Sequence, residues 1–446
     1  MQQAFLTVDL GFGDAGKGSI VDYLTRAHGA HTVIRYNGGA QAGHRVVTPG
    51  DPPQEHVFAQ FGAGTLAGAA THLSRFMLLD PLAMVEEEKH LRSLGVPDAF
   101  GHTTIDSRAL VITPFQRAVN RLKELARGAG RHGSCGMGIG ETMADALAHG
   151  GAVLCAGDLA DPDRLLAKLR FLRGVNQAKA ATLRARLANV PQAAGELDML
   201  DDSEWLDWLL EVYGSFAARA QIVPAGELAA ILHRPGTVVF EGAQGVLLDE
   251  WAGFHPYTTW STTTLANADR LLSETGYGGG VTRLGITRGY ATRHGAGPFV
   301  TEDRMLAAAL PDARNTAGPW QQQFRVGWLD LVMLRYAREV VGPLDGLAVT
   351  CMDRLATLPS LQICQHYRCN GMAHSRITPV PTRQDLAYQA RLTRDLERCT
   401  PVLQPVADAN TLLAIVAREL QTPVTLVSEG PTAKDKRERQ PLIQTP

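Results

Sequence analysis

One stretch near the start constrains the chain more than any other. AFLTVDL alternates toward a short strand, GFGDAGKGS follows as a glycine loop, and IVDYLTRAH carries apolar residues at helical spacing. A strand that turns through glycines into a helix begins a parallel α/β unit, whose ligands collect at the carboxyl edge of the sheet. HTVIRY then supplies another strand, NGGAQAGH another loop and HRVVTP a further extended segment. The pattern predicts an α/β fold with a P-loop-like core, a large mixed, mostly parallel β-sheet and flanking helices.

Gly11, Gly16 and Lys17 satisfy most of the G-x-x-x-x-G-K-[ST] pattern, with Gly18 where a Ser or Thr would reach magnesium. Glycines bring backbone amides close to phosphate, the helix start adds its positive end, and Lys17 neutralises charge. Asp14 is the misfit. A carboxylate in such a loop repels phosphate unless a cation or a protonated substrate compensates it, so it reads as a metal ligand, a proton acceptor or a cap of the next helix. His44, closing the second loop, can donate a hydrogen bond to oxygen during bond breaking. Without a ligand, the same residues describe a glycine-rich turn with Lys17 solvated and His44 structural.

The chain has 446 residues, 45% apolar and 20% charged, with a formal charge of -2. That size excludes a minimal peptide-binding module, and that balance gives no global case for nucleic-acid binding. Residues 1–446 read as one domain, with a mainly helical insertion at 112–220 carried by VNRLKELARGAG, TMADALAHG, PDRLLAKLRFLRGV and DDSEWLDWLLEVYGSFAARA. Strands return with GTVVFEGAQGVLLDE, VTRLGITRGYATRH, LDGLAVTCMDRL and QTPVTLVSEG, and residues 432–446 read as a surface tail. The six cysteines are scattered and the opening MQQAFLTVDL has neither the basic start nor the apolar length of a secretory signal, so they are expected to be reduced thiols in a cytoplasmic protein. Cys364, His366 and Cys369 lack a fourth ligand for zinc, and no apolar run is long enough to span a membrane.

GFGDAGKGS, NGGAQAGHRVV, GSCGMGIGET, VFEGAQGVLLDE, HPYTTWSTTT, TRHGAGPFVTE, VGWLD, VTCMD and LVSEGP sample nearly the whole chain. Taken in that order, they resemble the adenylosuccinate synthetase family, which couples GTP hydrolysis to the joining of IMP and aspartate. The resemblance implies a homodimer using Mg2+ and GTP, with ATP or dATP as alternative donors. It gives Asp14 the roles of metal ligand and base for the purine N1 proton, and the Gly43 carbonyl part of the metal shell. His44 would assist γ-phosphate transfer to purine O6, and Lys17 would contact phosphate. Gly13, Gly16, Gly18, Gly43 and His44 would surround the donor phosphates, while Asp353, Ser428, Gly430 and Pro431 would hold its base. The purine monophosphate and the amino acid would meet Asn37, Gln41, Cys135, Gln244, Thr259, Arg293, Thr301 and Arg325. A 6-phosphoryl purine would then turn a poor oxygen leaving group into phosphate, which an amine displaces.

Several positions depart from that pattern. Gln41 stands for Asn, Cys135 for Thr, Met137 for Arg and Cys351 for Lys, and His149 is left near a missing arginine pair. Before VGWLD, a run from Pro319 through Trp320, Gln321, Gln322, Gln323 and Phe324 to Arg325 replaces several arginines that would hold aspartate. Arginine forms a bidentate fork that Met cannot supply. The expectation is a purine nucleotide ligase, by default for IMP and aspartate with GTP. The alternatives are a ligase with altered acceptor, donor or amine, such as dGMP with ATP, and a catalytically silent purine nucleotide sensor.

Overall fold

The first strand, Gln2–Asp9, pairs in parallel with Gly236–Glu241 on one side and Gly280–Arg288 on the other. A strand flanked on both sides and covered on both faces is mostly apolar, so Ala4, Phe5, Leu6 and Val8 are all buried, and the buried Thr7 hydroxyl donates to the Phe240 carbonyl. This computed structural model describes residues 2–312, 314–315, 320, 323–382 and 384–443.

Ten strands form the main sheet. Their order is Lys436–Glu438, Val424–Ser428, Gly346–Thr350, Gly280–Arg288, Gln2–Asp9, Gly236–Glu241, Ala30–Arg35, Ala70–Leu73, Thr103–Asp106 and Gln221–Val223. All neighbours run parallel except the first pair, which is antiparallel. The α/β fold with a mixed, mostly parallel sheet is therefore as the residue pattern predicted. The segment read as a surface tail is different: residues 436–438 form the edge strand and Leu442 is buried beyond it. Residues 444–446 lie outside the described residues.

Alternating side chains of the first strand divide the core. Leu6 and Val8 join an apolar cluster with Phe240, Leu271, Leu331 and Val349, whereas Phe5 joins Ile20, Val33, Leu122, Leu169 and Phe216 on the opposite face. The second cluster takes its outer layer from Pro114–Arg127, Ile139–His149, Pro162–Ala181 and Glu204–Arg219, the helical insertion. Pro114–Arg127 starts with proline and a Thr113–Gln116 capping box, so its first orphan amide is satisfied locally.

A smaller sheet contains Leu329–Asp330, Leu361–Cys369, Met372–His374 and Cys399–Val406. Its pairing sets Cys369 opposite Cys399, and the two form a disulfide. The expectation of six reduced thiols is corrected here, because a strand register joins cysteines whose sequence spacing gave no sign of it. Cys135, Cys155, Cys351 and Cys364 are free. Among the described residues, no helix is long and apolar enough to cross a membrane.

Candidate active site

The central strand ends at Asp9 and the chain turns through its glycine loop into helix Lys17–His28. Gly13 and Gly16 take φ values of 91° and 86°, a region that glycine enters without steric cost. Asp14 also has a positive φ, 59°. Arg288 holds it there by donating from Nε to the Asp14 carbonyl at 2.5 Å. The Asp14 carboxylate remains about one-third exposed, with Oδ2 3.4 Å from His294 Nε2. It does not cap the helix, whose N-cap is Gly16. At Gly18 a Cβ would come within 2.8 Å of the His44 carbonyl carbon, so the close approach of the second loop excludes a Ser or Thr there.

Lys17 is buried, and its Nζ lies 2.8 Å from Asp9 Oδ2. Asp9, which the motif reading passed over, also accepts the Gly11 and Ala15 amides at 2.8 and 3.0 Å.

His44 opens strand His44–Val47, and its Nδ1 is 2.5 Å from Glu241 Oε1. Glu241 is fully buried at the end of its strand, accepts the Ala63 amide at 3.0 Å and has Arg35 Nε 4.0 Å away. Burial works to raise the Glu241 pKa, but Arg35, His44 and the Ala63 amide together hold it below the usual carboxylate value. An ionised Glu241 can only accept, so His44 Nδ1–H donates and the tautomer is fixed. Burial lowers the His44 pKa, against the opposing pull of Glu241, so the ring rests neutral near pH 7. Protonated at Nε2 it becomes a donor whose positive charge Glu241 stabilises.

These loops open onto one cavity of about 1040 Å³. Gly13, Asp14, Gly16, Lys17, Gly18, Gly43 and His44 line one part of it, with Asp353, Ser428, Gly430 and Pro431 continuing the wall. Gln41, Cys135, Gln244, Thr259 and Arg293 line the remainder. Both amide atoms of Gln41 and Oε1 of Gln244 are buried there without a protein partner, so this wall has unfilled hydrogen-bonding capacity for a polar ligand. Asp14 and the Gly43 backbone offer hard oxygen donors on the same wall, a set that suits magnesium once phosphate oxygens complete it.

A family model for adenylosuccinate synthetase matches residues 7–437. The chain belongs to the adenylosuccinate synthetase family. It is 31% identical over 420 residues to the adenylosuccinate synthetase of Clostridium botulinum strain 657, covering 90% of this chain and 87% of that protein. Against the Methylococcus capsulatus enzyme it is 32% identical over 418 residues, covering 91% and 86%. The fold matches the fully ligated adenylosuccinate synthetase of Plasmodium falciparum with a TM-score of 0.76 at 20% identity, covering 98% and 99% of the two chains. It also matches the succinoaminodeoxyadenylate synthetase of cyanophage S-2L, solved with dGMP and dATP, with a TM-score of 0.61 at 15% identity and coverages of 99% and 97%. The protein is thus a divergent member of a carbon–nitrogen ligase family that couples nucleoside triphosphate hydrolysis to purine nucleotide modification.

Within this adenylosuccinate synthetase relative, three of the residues singled out by motif lie off the cavity wall. Asn37 is fully buried and exchanges hydrogen bonds of 2.7 and 3.1 Å with the Ala243 backbone, fixing the EGAQG turn from beneath. Thr301 is buried, with its hydroxyl unpartnered, and its carbonyl accepts the Trp328 amide. Arg325 pairs with Glu302 at 2.5 Å and donates to the Gly295 and Gly297 carbonyls, so it braces the TRHGAGP turn. Arg293 does border the cavity, with its guanidinium carbon 4.1 Å from the Phe12 ring centre. It donates to the Ala296 and Pro298 carbonyls, and burial, aided by Arg325, lowers its pKa to about 9.

The altered loops have structural causes. Met137 packs beside Leu78, Ile112 and Ile139, where a guanidinium would be stranded. Gly136 lies under Trp320, since a Cβ there would come within 2.9 Å of the indole, and Arg121 stacks 5.4 Å from that ring. His149 packs its ring on Phe171. Pro319, Gln321 and Gln322 lie outside the described residues. Where Cys351 replaces the expected lysine, Lys436 donates to the Gly430 and Thr432 carbonyls, both at 2.9 Å, and burial lowers its pKa to about 8. Its position on an edge strand, in a segment read as tail, hid it from motif reading.

Proposed function

We propose that the protein is a magnesium-dependent homodimeric ligase that joins an amino acid, by default aspartate, to a purine monophosphate, by default IMP, using GTP. One observation carries this reading: the glycine loop, Asp14, the His44–Glu241 pair and the unpartnered amides of Gln41 and Gln244 share a single cavity. Asp14 is exposed enough to take the purine N1 proton, whereas Asp9 is buried. Loss of that proton makes O6 nucleophilic. The O6–phosphorus bond then forms as the β–γ bridge breaks, with His44, once protonated at Nε2, donating toward the reacting oxygens and Glu241 holding the ring in place. The amine nitrogen next bonds to C6, and phosphate leaves with the electrons of the C6–O6 bond. Magnesium held by Asp14 and the Gly43 carbonyl would supply charge neutralisation of the phosphoryl oxygens.

Asp353 fits guanine because one carboxylate can accept from both its N1 and N2 donors. A second reading, a ligase with changed acceptor and donor, draws on Cys135 and Met137 in the acceptor loop and on the likeness of fold to the cyanophage enzyme solved with dGMP and dATP. The test is product formation. The purified protein with magnesium is incubated with IMP or dGMP, with GTP, ATP or dATP, and with a mixture of amino acids, and new covalent nucleotides are identified by mass. IMP plus aspartate giving the succinyl adduct supports the first reading, and a dGMP product the second. An intact acceptor in every mixture, with nucleotide still bound, overturns the ligase reading and favours a sensor. Asp14→Asn is expected to abolish product while leaving the thermal denaturation midpoint near that of the unaltered protein.

A further inference from the structure

The phosphate loop contains an anion of its own. Asp9 is 1% exposed, and its Oδ1 accepts the Gly11 amide at 2.8 Å. Its Oδ2 accepts the Ala15 amide at 3.0 Å and Lys17 Nζ at 2.8 Å. Backbone amides and a lysine converging on one negatively charged group are what a glycine loop offers to phosphate. Here part of that set is already engaged by a side chain at the end of the strand that leads into the loop. Lys17 is also the only Lys or Arg between residues 1 and 25, so its pairing leaves the loop without a free cation of its own. Lys17 still borders the cavity.

We propose that Asp9 sets the affinity of the loop for the donor phosphates: it is an internal competitor that holds Lys17 back from an entering phosphate. This inference rests on the reading of the loop as the triphosphate site. Asp9 neutralises the charge of Lys17, so an entering phosphate meets a net neutral pair where a free lysine would attract it. Inorganic phosphate and pyrophosphate bring little binding surface beyond their charge, so they compete poorly with Asp9. A nucleoside triphosphate gains contacts along its whole length, including its base at the Asp353 end, and those contacts draw Lys17 across. Asp9 therefore weakens every phosphate ligand by a similar factor, and a full nucleotide keeps useful affinity through its other contacts where a small phosphate does not. Sequence motif alone would assign Lys17 to phosphate outright, and only the fold shows that it has a prior partner.

The experiment compares unaltered protein with Asp9→Gly and Asp9→Ser by isothermal titration. The probes are inorganic pyrophosphate and the β,γ-imido analogues of GTP and ATP, each with magnesium, and thermal denaturation confirms that the variants are folded. Tighter pyrophosphate binding in the variants by ten-fold or more, with a similar gain for the nucleotide analogue, is the expected result. Unchanged or weaker pyrophosphate binding by a folded variant overturns the proposal. If neither variant folds, the unaltered protein is crystallised with magnesium and the analogue that binds. Lys17 Nζ moved from Asp9 onto a phosphate oxygen supports the competition. Lys17 still on Asp9, whether or not it also touches a phosphate, overturns it while leaving the triphosphate site intact. Binding of neither analogue by the unaltered protein instead overturns the reading of the loop itself.

Discussion

Replacing Glu241 by Gln separates the charge of this residue from its shape. Glu241 is fully buried, 2.5 Å from His44 and 4.0 Å from Arg35. Gln fills the same volume and can still accept from either His44 or the Ala63 amide, but it leaves Arg35 buried without a counter-charge. Breaking a buried ion pair from one side costs about 3–5 kcal/mol. Arg35 keeps its bonds to the Ala59 and Phe61 carbonyls at 3.0 and 3.2 Å, so the lower end applies. A loss of about 3 kcal/mol shifts the folding equilibrium roughly 100-fold, which urea denaturation resolves as a lower midpoint at an unchanged slope. The chemical step loses more. A neutral partner no longer stabilises the His44 imidazolium, and since burial already lowers that histidine's pKa, removing Glu241 lowers it further. General-acid assistance contributes about 10²–10⁴ in rate, so kcat is expected to fall by a factor in that range with the triphosphate KM little changed. Rapid-quench measurement of γ-phosphoryl transfer checks this. A kcat within three-fold of the unaltered enzyme, in folded protein, refutes the coupling of Glu241 to His44.

Gly18→Ser restores the usual phosphate-loop residue but drives a Cβ to 2.8 Å from the His44 backbone. It is expected to destabilise by about 1–3 kcal/mol and to slow turnover, as denaturation and product assays would show. His72 is buried, with its pKa lowered to about 4 by burial. The unfolded chain binds that proton more readily, so the stability tied to a neutral His72 is complete above pH 6.5 and is lost as pH falls through 4. His72→Phe is expected to flatten stability between those limits, a change of about 3 kcal/mol, measured by urea denaturation across pH. Lys436→Met releases the Gly430 and Thr432 carbonyls that Lys436 gathers. It is expected to raise the triphosphate KM several-fold while leaving the acceptor KM unchanged in steady-state kinetics.

Much of the scaffold was legible because it is written locally. Strand alternation, glycine loops and helix periods each occupy a few neighbouring residues, and they identified the central sheet and the cavity's first two loops. What escaped depends on pairs distant in sequence. His44 and Glu241 are 197 positions apart, and only the parallel alignment of Gly236–Glu241 beside Ala30–Arg35 brings them together. Cys369 and Cys399 meet through a register that composition does not encode. The family resemblance implied Arg325 as a substrate contact, and its guanidinium is engaged by Glu302 and two carbonyls. Asn37 shows the same limit, since a polar residue in a ligand loop can serve the loop's own backbone. Lys17 is the subtler case: its type and place were readable, but its partner Asp9 sat in the strand just before the motif.

The position of the first strand also governs how the molecule is made. Gln2 aligns with Gly236, and Gln3 with Gly280, so both sheet neighbours of the amino-terminal strand are synthesised more than two hundred residues after it. Such non-local pairing slows folding and leaves apolar strand edges exposed in the interim. On the ribosome, this strand therefore emerges long before the two strands that enclose it. A nascent chain halted before residue 236 carries the whole glycine loop but neither of the strands that hold it in the sheet.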